Sequence, residues 1–178
     1  MVKKLTKQYE TPTEGWSEER IAEEDELMTT YGLKNKKEIY RAESLLRSLR
    51  REARELVSEE GGERKDIIER ANRLGLVREN AELDEILGLQ TTDILDRRLQ
   101  TAVNRKGYAD TAKEARQLVV HGHVYIGDQR VDVPGYLLTQ EEEKDVEVEL
   151  PEPSEETQKE DEEEVADETE TEEEEGDN

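Results

Sequence analysis

Between Asp93 and Val133 the chain is divided by glycines and capping residues at short intervals, and that punctuation leaves few folds open. After Thr92, a possible cap, Leu95, Leu99, Ala102 and Val103 recur at helical spacing. Asp93 and Asp96 lie near the positive end of the dipole, and Gly107 closes the element. Thr111 and Glu114 stand in capping-box spacing and open a second helix with Ala112, Ala115, Leu118 and Val119 along its inner edge; Gly122 ends it. Val124 and Ile126 then alternate with Tyr125, Gly127-Asp128 supplies a turn, and Val131 and Val133 form the return strand. A third strand, Val146-Val148-Leu150, can join them. Helices this short hold only when an apolar edge is packed. The expected unit, residues 92–150, is therefore a helix-helix-β-hairpin.

Upstream the pattern is helical throughout. Ser17 is an N-cap for a helix running to about Tyr31, stopped by Gly32. Asn35, with Glu38 three residues on, opens a long helix in which Ile39, Ala42, Leu46, Leu49, Ala53 and Leu56 repeat at spacings of 3 and 4. Arg47, Arg50, Arg51 and Arg54 form a second stripe about 120° round the same cylinder. Gly61-Gly62 break the pattern, and shorter helices follow around 65–74 and 81–87, ended by Gly75 and Gly88. The chain thus divides into a basic arm (1–16), a helical domain (17–91), the helix-hairpin unit (92–150) and a tail (151–178). The fold class is α+β, mostly helical.

Charge separates these parts. Of the formal −23, residues 141–178 hold −20, with 22 acidic and 2 basic side chains. The tail is almost only Glu, Asp, Thr and Ser and is expected to be disordered. From Arg97 to Arg130 the sign reverses, with seven Lys/Arg against three Asp/Glu, so a polyanion such as RNA is the expected partner. The absence of cysteine excludes disulfides and thiolate metal sites. Nothing approaches the roughly 18 apolar residues of a membrane span, and the expected location is the cytoplasm.

The side chains placed for RNA contact are Arg97, Arg98, Arg105 and Lys106 on the first short helix, and Lys113, Arg116 and Gln117 on the second. His121 and His123 flank the turn, and Arg130 lies on the return strand. Guanidinium forks suit bidentate phosphate contacts. The strings LDRRLQ, RKGYA, EARQLVVHGHVYIG and VDVPGYL resemble the RNA-binding module named after ribosomal protein S-four. YGLKNKKEIYRAESLLRSLRREARELV is similar to the N-terminal helical domain of the archaeal members of that ribosomal family. The resemblance covers about residues 31–140. It implies a structural, non-enzymatic component of the small ribosomal subunit that binds 16S rRNA at a helical junction of the 5′ domain. Such a protein nucleates assembly of the subunit body and, with neighbouring proteins where the messenger enters, contributes to translational accuracy. It also extends the RNA-facing role to Lys34, Lys36, Lys37, Arg41 and the Arg47, Arg50, Arg51 and Arg54 stripe. Two departures stand out: a Gly-Asp-Gln-Arg hairpin turn where many members have Asn-Gly, and the acidic tail.

Blander readings exist for each feature. A basic stripe can be a solvated helix face. His121-x-His123 lacks the further ligands a metal site needs, and no cofactor is implied. Acidic pairs such as Glu23-Glu24 and Asp84-Glu85 have nothing to bury them, and no nucleophile constellation appears. A free RNA chaperone or stress-response protein built on the same module is the alternative function. A chain with 42% charged residues and an acidic excess suits molar salt, where the screening length is about 3 Å or less, and points to a salt-loving archaeon.

Overall fold

The computed structural model describes residues 7–57, 63–78 and 81–149. Expectations for 1–6, Gly61-Gly62, Leu150 and the tail fall outside these residues. Helix α1 (Glu18–Thr30) is capped by Ser17, whose hydroxyl accepts from the Arg20 amide. Gly32, at φ +57, then turns the chain into α2 (Lys36–Val57). The 3,4 stripe of α2 is the spine of the helical core: Ile39, Ala42, Leu46, Leu49 and Ala53 are all buried. Each large aliphatic side chain so buried contributes on the order of 1.5–3 kcal/mol. Helices α3 (Glu63–Arg73), α4 (Leu83–Gly88) and α5 (Thr91–Asp96) pack against it through Ile67, Ala71, Ile86 and Leu95.

The single helix expected after Thr92 is two. Helix α5 ends at Asp96, α6 (Leu99–Arg105) begins after Arg98, and Arg98 itself is extended at φ −75, ψ 145. The cause lies far along the chain. Leu99 N–H donates to Tyr136 O (2.8 Å) and Gln100 N–H to Pro134 O (3.4 Å), while Leu138 N–H donates to Arg97 O (2.9 Å). This strand-like clasp, with Arg98 bridged to Leu137, competes with the helical hydrogen bonds and wins. Asp93 caps α5 by accepting from the Gln90 amide (2.6 Å), and with Gln90 as the N-cap the helix starts two residues earlier than a Thr92 cap predicts.

Helix α7 (Ala112–His121) packs on α6 through Ala115, Leu118 and Val119. Its C-cap Gly122 sits at φ +76, and a Cβ there would collide with the Arg130 guanidinium. Strands β1 (Val124–Ile126), β2 (Gln129–Arg130) and β3 (Val146–Val148) form an antiparallel sheet in the order β2-β1-β3, so the third strand joins as expected. The return strand is shorter than the alternation suggests. Val131 still donates to Val124 O, but Val133 is 52% exposed because the chain turns at Pro134 toward the α5–α6 corner. The buried side chains form two clusters, one in the helical domain and one in the module, and the chain crosses from the first to the second between Leu95 and Leu99.

Candidate nucleic-acid interface

Two glutamates organise the cations of the module. Glu38, on the first turn of α2, receives both Arg98 and Arg116, the latter at 2.9 and 3.2 Å, and also the Lys34 amide at 3.2 Å. The capping-box role expected toward Asn35 is therefore displaced to Lys34. Arg98 is 6% exposed, and a charge so enclosed requires a partner. Burial pushes the Glu38 carboxyl up, but the hydrogen bonds from Arg116 and Arg98 outweigh it and leave it below the usual glutamate range. Beside this pair Gln100, 1% exposed, donates from its amide to Tyr31 O (2.9 Å), Gly32 O (3.2 Å) and Ala112 O (2.7 Å). Its oxygen accepts from Arg116 (3.2 Å).

The second glutamate, Glu143, accepts from Arg97 at 2.6 Å and from Arg105. Burial raises this carboxyl too, and Arg97 leads the opposing interactions that bring it below the usual range. Arg97 lies over Gly75, where a Cβ would meet its guanidinium carbon at 2.9 Å. Gln140 bonds Arg73 O and Asn72 O, both at 2.9 Å, so residues 137–145 stitch the end of α3 to the module.

The predicted RNA-facing residues thus divide. Arg98 and Arg105 do not share a helical face, because Arg98 precedes α6, and they pair with different glutamates. Arg97, Arg98 and Arg116 are engaged within the chain. Lys106 donates to Val146 O (3.1 Å), Arg130 to His121 O (3.0 Å) and Arg50 to Leu89 O. Lys36 pairs with Asp25 (2.7 Å) and Glu24, Arg47 with Glu10, and Arg54 donates to Arg50 O (3.1 Å). Lys34, Lys37, Arg41, Arg51, Lys113, Gln117 and His121 are exposed, and His123 is half-buried with its ring 6.4 Å from that of His121.

The turn leading into α2 and the first turn of α7 meet at one seam. A Cβ on Gly32 would lie 2.9 Å from Ala112 C and 3.0 Å from Lys113 N, so the turn before Lys34 abuts the first turn of α7. Glu38, Arg116 and Gln100 lock that seam from beneath. Sequence reasoning gave Glu38 a capping role only and missed Glu143 and Gln100, yet all three position the cations. The one local signal was a glutamine set between the inward-facing Leu99 and Val103.

Residues 97–144 match the S4 domain family. The chain is also similar to three archaeal proteins, each named small ribosomal subunit protein uS4. That of Methanothermobacter thermautotrophicus is 44% identical, over 79% of this chain and 85% of its own length. That of Haloarcula marismortui is 50% identical over 73% and 78%, and that of Halobacterium salinarum 49% identical over 78% and 82%.

Proposed function

The chain belongs to the uS4 family of small ribosomal subunit proteins, and on that premise we propose that the exposed cations on either side of the α2–α7 seam form its rRNA-facing surface. It is a structural ribosomal protein that binds rRNA, and not an enzyme. Lys34 in the turn before α2, Lys37 and Arg41 on α2, and Lys113, Gln117 and His121 from α7 carry the contacts. Arg98 and Arg116 act below them as positioning residues. The observation that carries this reading is the Glu38–Arg98–Arg116–Gln100 network, which makes two separately coded helices one rigid platform. Rigidity suits a ligand recognised by shape, as folded RNA is.

The family resemblance supports the finer statements: a junction in the 5′ domain of 16S rRNA, nucleation of the subunit body, proximity to neighbouring proteins where the messenger enters, an influence on accuracy, and a cytoplasmic location. The acidic composition and the relatives from salt-loving archaea support an origin in such an organism. Filter binding of the full chain to small-subunit rRNA, across a salt series, tests the surface. Replacing Lys34, Lys37 and Lys113 together with alanine should weaken binding at the lowest salt that keeps the fold. It should also reduce the salt slope by about 1 for each phosphate no longer neutralised. Unchanged affinity and slope, with the helical signal intact, refute the assignment.

A further inference from the structure

Trp16, the only tryptophan in the chain, is 93% exposed. It occupies the position before the Ser17 N-cap, where an apolar side chain often packs back on its own helix. At this exposure it does not. Nor is it on a loose strand of chain. Arg20 donates to the carbonyls of both preceding residues, Glu14 (3.0 Å) and Gly15 (3.1 Å), and pairs with Glu24. Glu24, which the sequence leaves with nothing to bury it, is instead 3% exposed beneath α2 and is itself held by Tyr40 (3.3 Å) and Lys36 (3.3 Å). A chain of ordered contacts therefore runs from α2 to the backbone beside Trp16. A large apolar side chain on a pinned backbone costs little further ordering on association and has the character of an interface anchor.

The charges around it choose the partner. Between Gln8 and Leu33 there are eight acidic residues and one basic, and that one, Arg20, is turned onto the loop and Glu24. Glu14, Glu18, Glu19 and Glu23 are exposed and have no ion pair among the described residues. A nucleotide stacked on the indole would bring its phosphates against these carboxylates, and like charges in contact are repelled even where salt screens longer distances. A protein surface offering an apolar pocket rimmed by lysine or arginine fits both features. We propose that Trp16, with its collar of four carboxylates, is the anchor by which this chain docks a basic protein neighbour in the small subunit.

The proposal rests on the chain's place in the small subunit and not on which cations face rRNA. Its test is a full chain carrying a photoreactive benzoylphenylalanine at position 16, assembled into small subunits and irradiated. The expected product is a crosslink to a protein whose contacting segment is rich in lysine or arginine. Crosslinks to rRNA, to an acidic segment, or to nothing overturn it. In parallel, Trp16→Ala should bind naked small-subunit rRNA within about twofold of the unaltered chain. In salt-washed subunits it should weaken retention of the crosslinked neighbour by on the order of tenfold, as removal of an anchor does. A variant that loses naked-rRNA affinity, or that retains the neighbour fully, refutes the docking role. The Lys34, Lys37 and Lys113 variant reads out separately, through naked-rRNA binding alone.

Discussion

Replacing Glu38 with alanine removes one carboxylate and strands two guanidinium groups. The side chain of Arg98 is 7% exposed, that of Arg116 21%, and that of Glu38 18%, so water cannot readily replace the missing partner. Breaking an enclosed pair by deleting one member costs about 3–5 kcal/mol. Arg98 lies at the high end, because its Nη1 already has no hydrogen-bond partner. At about 4 °C per kcal/mol for a body of this size, Tm should fall by roughly 12–20 °C. Glu38→Gln keeps the shape and an acceptor and should lose about half as much. Thermal unfolding by circular dichroism in molar KCl is the assay, since enclosed pairs are little screened. The exposed Arg47–Glu10 pair, with both side chains more than half exposed, is the internal control, and Arg47→Ala should change Tm by no more than a degree or two. The pH dependence gives a second reading. The folded-state pKa of Glu38 is depressed, so its stabilisation is present above the unfolded glutamate value and is lost as pH falls through the folded one. Glu38→Gln should therefore flatten the acid limb of stability below about pH 4.5. A Glu38→Ala loss below 1 kcal/mol, or an unchanged acid limb in Glu38→Gln, refutes the view that this carboxylate locks the seam.

Three further perturbations probe the same architecture. Glu143→Ala should cost about 1–3 kcal/mol by releasing Arg97, and should expose the 137–145 segment to proteolysis sooner than the rest; uniform cleavage would count against its role as a stitch. Tyr31 is raised to about 12, by burial first and then by its 2.8 Å hydrogen bond to Asp96, so folding favours its protonated form. Stability should decline between about pH 10 and 12 and that decline should vanish in Tyr31→Phe, measured by urea midpoints; identical slopes would refute it. Gly32→Ala must hold φ +57 while its methyl meets Ala112 and Lys113, so it should lose at least about 1–2 kcal/mol and weaken rRNA binding even in molecules that remain folded. Native affinity in that variant would separate the seam from the RNA surface.

What could be read from the sequence was what depends on neighbours in the chain. The α2 stripe, the Ser17 and Thr111 caps and the Gly122 and Gly127 reversals are each set within a few residues, and the structure contains them. The break at Arg97-Arg98 was illegible because residues 134–138 impose it. The engagement of the arginines was hidden for the same reason: Arg98 and Arg116 lie 60 and 78 residues from Glu38, and Arg97 and Arg105 lie 46 and 38 from Glu143. Helical periodicity identifies a cationic face but cannot say which carboxylate from elsewhere will reach it. Of the residues placed for RNA contact, Lys34, Lys37, Lys113 and Gln117 are exposed, Lys36 is half-buried and paired with Asp25, and Arg97 and Arg98 are enclosed.

The long span between Glu38 and Arg116 also sets a timetable for biogenesis. With 78 residues between them, translation at about 5–20 residues per second leaves the carboxylate waiting roughly 4–16 s for its second arginine to be made. During that interval the newly emerged α2 has its apolar stripe but lacks the fastener that fixes its N-terminal end, and a nascent chain of this kind is vulnerable to proteases and to premature contact with nucleic acid. The completed platform can exist only once most of the ordered body has left the exit tunnel.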